Sequence, residues 1–289
     1  LERFAALAGA ALDDLARSAG VEALREAPLF LALPPADRPG LDPRLHRELG
    51  AALEARGPLP DLARRTRVFS GGHAALAPAL RAALGELAQG RERVMVGGVD
   101  SLIEPELLRA LHALGRLAVP PRRVGFFPGE GAALLLLEAP ARALTRGAGV
   151  LALLEAPASA REAITVDTHE PCDGAGLSAA IEETLAGIAD GGAAIGLCYS
   201  DLNGEPFRSE ELGQALVRSL RHVPRSLGLR HLADSLGDTG AASMALSLAA
   251  AATALHLGHA RTSSVLCTAS SDGGLRGSVH LRAHPGKAG

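Results

Sequence analysis

The sequence predicts an α/β fold, and three observations carry that expectation. Short apolar runs such as Arg93–Val96, Ala132–Glu138, Ala194–Tyr199 and Ser264–Thr268 alternate with longer segments whose apolar residues recur at helical spacing. The runs are apolar at consecutive positions, which suits strands of a sheet covered on both faces. The chain is 47% hydrophobic but only 2% aromatic, so its core is built from Ala, Leu and Val, small residues that let helices lie close on a buried sheet.

Taken in order, Leu1–Ala16 predicts a helix, the proline-rich Leu29–Asp42 a loop, and Pro43–Glu54 a second helix. Arg67–Phe69 reads as a short strand ending at Ser70-Gly71-Gly72, after which His73 opens a helix to Leu87, with Gly90 as its stop. The strand Arg93–Val96 runs into Gly97-Gly98 and an Asp-Ser turn. Pro105–Leu114 is helical, and a second glycine-rich turn, Gly125 to Gly131, feeds the strand Ala132–Glu138. Glycines there permit close backbone approach, so two strands can meet tightly beside a site. A second set follows: a strand at Val150–Glu155, a polar loop to Gly176, a helix at Leu177–Ile188, and a strand at Ala194–Tyr199 running into Ser200-Asp201-Leu202-Asn203-Gly204. Glu210–Arg221 is a helix, Gly237–Gly240 leads into an apolar helix Ala241–Leu257, and Ser264–Thr268 and Ser278–Arg282 are strands joined through Ser270–Gly277.

The 289 residues are enough for a sizeable core in one or two domains. The net charge of −3 gives no footing for a nucleic-acid partner. Lys287 is the only lysine, which excludes lysine-dependent catalysis. Three unevenly spaced cysteines, Cys172, Cys198 and Cys267, fit a reducing cytoplasm better than a disulfide framework. The run Ala241–Leu257 contains Ser and Thr and is short for a membrane span, so a buried helix is expected and no membrane association. No signal peptide is visible, and the chain opens on Leu1 inside a helical pattern, so an N-terminal segment is expected to be missing.

The stretches Val94–Ser101 (VMVGGVDS) and Gly125–Glu138 (GFFPGEGAALLLLE) together resemble the β-ketoacyl synthases of fatty-acid and polyketide synthesis, within the thiolase superfamily. The likeness of order and spacing runs from about Arg67 to His280. It implies a thiolase-like five-layer α/β/α/β/α fold of two related halves, 1–145 and 146–289, the first lacking its opening strand. It also implies acyl thioesters on acyl carrier protein or coenzyme A as partners and no cofactor. A homodimer, or a heterodimer with an active ketosynthase, is expected through the strand Arg67–Phe69.

In that family a cysteine begins the helix before the GG strand, and here the matching residue is His73. Of the family's two histidine positions, the first falls on Asn203 and the second on Asp238, with Ala233 roughly where a lysine stands. The glycine turn that helps form the oxyanion hole matches Ser271-Asp272-Gly273-Gly274, without the family's gating phenylalanine. Decarboxylative condensation needs a thiolate to take the acyl group and two donors to stabilise the enolate. His73 offers no thiolate, and an ionised Asp238 would repel an enolate; burial could instead keep it protonated. The expectation is a divergent homologue that does not condense by the usual route, as in a non-catalytic partner of an active synthase. The alternative is a thioester hydrolase or non-covalent acyltransferase at His73, Asn203 and Asp238, with Asp238 orienting His73 as a general base. The plainer reading is that His73 starts a helix and Asp238 caps the buried one.

Cys198 and Cys267 read as small core residues. His169-Glu170-Pro171-Cys172-Asp173 has metal-type residues but no second cluster at zinc spacing, and reads as a solvated loop. His280 and His284 are expected on an edge strand. The Gly129-Glu130-Gly131 turn matches no phosphate-binding fingerprint, and Asp100 and Glu130 are expected to bond the two turns.

Overall fold

The computed structural model describes residues 1–121, 123–168, 170–189, 192, 195–219 and 226–284. Its first part runs α1 (Glu2–Ala19), α2 (Val21–Leu24), β1 (Leu29–Leu33), α3 (Leu45–Glu54), α4 (Leu62–Arg65), β2 (Thr66–Ser70), α5 (Leu76–Ala88), β3 (Arg93–Ser101), α6 (Pro105–Ala113), β4 (Glu130–Glu138) and α7 (Pro140–Thr145). The second runs β5 (Leu153–Arg161), α8 (Ala175–Ala186), β6 (Ile195–Ser200), α9 (Pro206–Arg218), β7 (Gly228–His231), α10 (Ala233–Leu236), a 3-10 turn Gly240–Ala242, α11 (Ser243–His256), β8 (Ser264–Ser270) and β9 (Leu275–Arg282).

Two mixed sheets result, with strand orders β2-β1-β3-β4 and β5-β9-β8-β6-β7. Within the first, β1 is parallel to β2 and β3, and β3 is antiparallel to β4. Strands β6, β7, β8 and β9 repeat that pattern: β6 is parallel to β7 and β8, and β8 is antiparallel to β9. Strand β5 is the additional member of the second sheet.

The alternation of side chains along a strand explains why the central strands are apolar throughout. In β1, Phe30 and Ala32 face a core shared with α5, α11 and the inner face of the second sheet, where Val265, Cys267 and Val279 lie. Leu29, Leu31 and Leu33 face the opposite way, against Phe4, Ala8 and Leu12 of α1 and Leu45 and Leu49 of α3. The outer face of the second sheet, with Cys198 and Leu266, is covered by Leu177, Ile181 and Leu185 of α8 and Leu212 and Ala215 of α9. The sandwiched helices use small residues for close approach: a Cβ on Gly277 of β9 would lie 2.8 Å from the Cβ of Ala77 in α5.

The α/β class expected from the sequence is the one found, with several corrected elements. Leu29–Leu33 is a fully buried strand rather than part of a loop. Its prolines, Pro28, Pro34 and Pro35, flank the five residues instead of interrupting them, and a strand tolerates proline at its ends. The strand expected at Val150–Glu155 lies later, at Leu153–Arg161, bent by a bulge between Glu155 and Ala158. The Gly97–Ser101 segment continues strand β3 rather than turning, because β4 pairs with it through to Ser101↔Glu130. Helix α5 starts at Leu76, three residues after His73. Helix α9 starts at Pro206, earlier than expected, because proline suits the first turn. β9 extends back to Leu275 and lies between β5 and β8, so His280 is on an interior strand, not an edge. There it links its neighbours: Nε2 is 2.5 Å from Ser264 Oγ and Nδ1 is 3.1 Å from Glu155 Oε2. His284 follows β9. No helix among the described residues is long and apolar enough to cross a membrane.

Candidate functional site

His73, Asn203 and Asp238 come from three separate loops, and their side chains meet. His73 lies between the left-handed Gly72 (φ 79°) and helix α5. Asp238 lies between α10 and the 3-10 turn, and Asn203 in the loop from β6 to α9. The His73 Nε2–H donates to Asp238 Oδ1 at 2.7 Å, and Asn203 Nδ2 donates to Asp238 Oδ2 at 2.6 Å. His73 and Asp238 are both buried.

The two glycine motifs build this arrangement. A Cβ on Gly97 would lie 2.1 Å from the Ala133 carbonyl oxygen, and one on Gly98 would lie 2.3 Å from that of Ala241. Only glycine lets β3 approach both β4 and the start of the 3-10 turn. Asp100 Oδ2 then accepts the Ala241 N–H at 2.8 Å, while Arg38 holds Oδ1 at 2.6 Å. From the second motif, the Gly129 N–H donates to the Asp238 carbonyl at 2.7 Å, and the Asp238 N–H donates to the Phe127 carbonyl at 2.7 Å. A Cβ on Gly129 would meet the Leu236 carbonyl oxygen at 2.2 Å. The backbone of residue 238 is thus clamped on both sides by GFFPGEG. Glu130 has a structural part, accepting from Ser101 Oγ at 2.8 Å and Arg3 Nε at 2.5 Å. Asp100 and Glu130 therefore bond the two motifs, as the sequence suggested.

Around the triad lies a network of charges that sequence reasoning missed. Arg208, in the first turn of α9 and 4% exposed, donates from Nη1 to Asp201 Oδ2 at 2.7 Å and to the Ser270 carbonyl, and from Nη2 to Asp272 Oδ1 at 3.1 Å. Arg116 bridges Glu205 (Nε–Oε1 2.7 Å) and Asp272 (Nη1–Oδ2 2.8 Å). It is placed by the same GFFPGEG segment: Phe126 N–H donates to the Arg116 carbonyl, and the guanidinium sits 5.6 Å from the Phe126 ring centroid. Asn203 also orients Glu205, donating to Oε2 at 3.0 Å and accepting the Glu205 N–H at 3.0 Å. Asp201 and Glu205 lie in the loop aligned on Asn203, so their acidity was visible. Their partners were not, because nothing in a sequence marks which arginine is buried.

Electrostatics set the protonation states. Burial pushes the Asp238 carboxyl up, but His73, Arg208 and the Gly240 N–H outweigh it and hold it well below the usual carboxylate range. The protonated Asp238 that burial alone would favour is therefore corrected to a carboxylate. Burial disfavours a charged His73, yet the Asp238 carboxylate prevails over both burial and Arg208 and raises its pKa. Because Nε2 donates to Asp238, it cannot also accept from Arg208 Nη2 at 3.4 Å; that contact sets like charges together. Burial raises the Asp272 carboxyl as well, and Arg208 and Arg116 bring it down to about 2.

Asp272 thus binds two arginines. Gly274 (φ 85°) closes the adjoining turn, its N–H donating to the Ser271 carbonyl at 3.1 Å, and the Gly273 carbonyl accepts from Arg161 at 3.2 Å. Ser271 Oγ accepts the Ala74 N–H at 2.9 Å, tying this turn to the start of α5. Asp238 does not cap the buried helix, which begins at Ser243 without a side-chain cap; its Oδ1 instead accepts the Gly240 N–H at 2.8 Å, at the start of the 3-10 turn. The cavity lined by Glu205, Arg208, Ser271, Asp272 and Arg276 measures about 10 Å³, the scale of about one water molecule.

No thiol enters this site. Cys198 and Cys267 are buried in β6 and β8, and burial raises the Cys198 thiol to about 12. Cys172 is buried, contrary to the solvated loop expected for His169–Asp173, and lies 3.6 Å from Glu211 Oε1. His169 falls outside the described residues.

No protein-family model and no curated protein sequence matches the chain. Solved structures do. A chain from a type II polyketide synthase acyl-carrier protein in complex with its ketosynthase, bound to the hexaketide, superposes with a TM-score of 0.78 at 17% identity, covering 98% of this chain and 84% of that one. The ishigamide ketosynthase/chain length factor gives a TM-score of 0.75 at 17% identity, covering 98% and 82%. The oxazolomycin ketosynthase domain of Streptomyces albus gives 0.69 at 16% identity, and there the chain spans only 56% of the other. Likeness at such identities is one of fold, and the chain has the thiolase-like fold of the ketosynthases and chain length factors over nearly its full length.

Proposed function

We propose that this protein is a non-condensing member of the ketosynthase group, serving fatty-acid or polyketide-type metabolism as the partner of an active ketosynthase. In this reading it forms a five-layer α/β/α/β/α fold of two related halves, 1–145 and 146–289, the first without its opening strand. It dimerises through β2, the edge strand of its sheet, and meets acyl thioesters on acyl carrier protein or coenzyme A in the cytoplasm. The single observation that carries the reading is the buried Arg208, which stands with Nη2 3.4 Å from His73 Nε2 and is held there by ion pairs with Asp201 and Asp272. Arg208 occupies the position against His73, His73 supplies no thiolate, and a carboxylate at Asp238 opposes an enolate. The test is incubation with acyl thioesters followed by intact-mass analysis, together with co-expression beside a ketosynthase. The expected result is no acyl adduct on this chain and stable co-purification of the pair. An adduct on this chain, or a chain that never associates, would reject the proposal.

The 2.7 Å His73–Asp238 bond supports a second reading, thioester hydrolysis with His73 as general base. Nε2 is committed to Asp238, so Nδ1 would have to take the proton from water. Hydrolysis abolished by His73→Ala would favour this reading; none in the parent protein would end it.

A further inference from the structure

A separate cluster of buried polar groups lies away from the His73 network, where the segment after β5, the loop before α8 and the middle of α9 meet. Ligand atoms of Glu162, Cys172 and Glu211 all lie within 4.8 Å of one another, and all three residues are buried. Cys172 Sγ is 3.6 Å from Glu211 Oε1. Zinc bonds of 2.0–2.3 Å arranged tetrahedrally separate neighbouring ligand atoms by about 3.3–3.8 Å, so the observed spacing suits two ligands of one ion.

Each carboxylate keeps free capacity. Glu162 accepts the Gly176 N–H at 2.7 Å on Oε2 and the Ala163 and Ile164 N–H groups at 3.0 and 3.4 Å on Oε1, leaving a lone pair on Oε2. Glu211, 1% exposed, directs Oε1 to Arg276 Nε at 2.7 Å, while its Oε2 is buried without any hydrogen-bond partner. A buried carboxylate oxygen left unpaired is costly, and native interiors seldom keep one without a reason such as an ion.

We propose that Glu162, Cys172 and Glu211 form a binding site for a single zinc-type divalent cation, with water completing the tetrahedron. A thiolate beside two carboxylates selects zinc over magnesium or calcium, which prefer all-oxygen shells. The charges also balance. With Cys172 ionised, three anionic ligands stand against Arg276 and a dication, and the buried cluster becomes neutral. Burial, together with Glu211 and Glu162, holds the Cys172 thiol up at about 11, so binding must release its proton to solvent. The site would fasten the 162–174 segment to α9, whose first turn carries Arg208.

The test uses the full chain, stripped with chelator, reloaded with zinc and desalted. One zinc per chain is expected to remain. Cobalt substitution should show a thiolate-to-cobalt charge-transfer band that Cys172→Ala removes, with zinc affinity at least tenfold weaker. Glu162→Gln, which can still accept from Gly176, serves as a second variant should Cys172→Ala not fold, and should also weaken binding at least tenfold. His284→Ala, outside the cluster, should leave binding unchanged. Failure of the parent to retain zinc, absence of the charge-transfer band, or undiminished affinity in the folded variants would overturn the proposal.

Discussion

Replacing Arg208 with methionine tests whether the interior charge network holds the site together. Methionine keeps an unbranched apolar stem like that of arginine but removes the guanidinium. The lost contacts are a 2.7 Å bond to Asp201, a bond to the Ser270 carbonyl and a 3.1 Å bond to Asp272. Glu205 and Asp272 keep Arg116, so their charges stay compensated. Asp201 then keeps the Ser270 N–H at 2.8 Å, and a largely buried carboxylate loses its counter-charge. Breaking a buried ion pair by removing one partner costs about 3–5 kcal/mol, and that is the destabilisation expected of Arg208→Met at neutral pH. The assay is urea unfolding followed by circular dichroism, with the cost read from the shift in midpoint at unchanged slope. The exposed pair Arg17–Asp14, with side chains 72% and 80% accessible, supplies the control, since surface pairs are worth about 0–1 kcal/mol. A loss for Arg208→Met no larger than that of Arg17→Ala would refute the interior charge network and, with it, the fixed position of Arg208 against His73.

The His73–Asp238 pair should shape the pH dependence of stability. The His73 pKa is raised, so its contribution is complete below the unfolded value of about 6.5 and fades as pH rises through the folded value; Asp238 is lowered, so its contribution is complete above about 3.9 and fades on acidification. Stability from the pair should peak between those limits, and His73→Gln should flatten the alkaline side of the profile; an unchanged profile would show that the pair is not formed. Gly129→Ala places a Cβ 2.2 Å from the Leu236 carbonyl oxygen and should cost about 1–3 kcal/mol or more, as measured by thermal unfolding, whereas a neutral effect would remove the clamp on Asp238. Cys198 and Cys267 should react with a thiol reagent only as fast as the chain unfolds, because both are fully buried; rapid labelling of the native protein would contradict their place in the core.

Where the sequence misled, the reason was local. Leu29–Leu33 hides between prolines, yet forms the strand on which the first sheet is centred. Strand β7 has only four residues, Gly228–His231, too few to show a period. At Cys172 the surrounding polar residues suggested solvent, while the residue that draws it inside, Glu211, lies on a helix 39 positions away.

By itself the sequence determined the frame. Its apolar runs, its small-residue helices and the two glycine motifs at Val94–Ser101 and Gly125–Glu138 are local in character, because a covered strand or a close backbone contact imposes its composition on consecutive residues. It also singled out His73, Asn203 and Asp238, three residues whose side chains the structure brings together. Only the tertiary structure decided what those residues do to one another. His73 and Asp238 are 165 positions apart, and Arg208 and Asp272 are 64 apart. Whether a carboxylate stays charged or an arginine is buried among acids depends on distance and burial, and neither is written in the order of the chain.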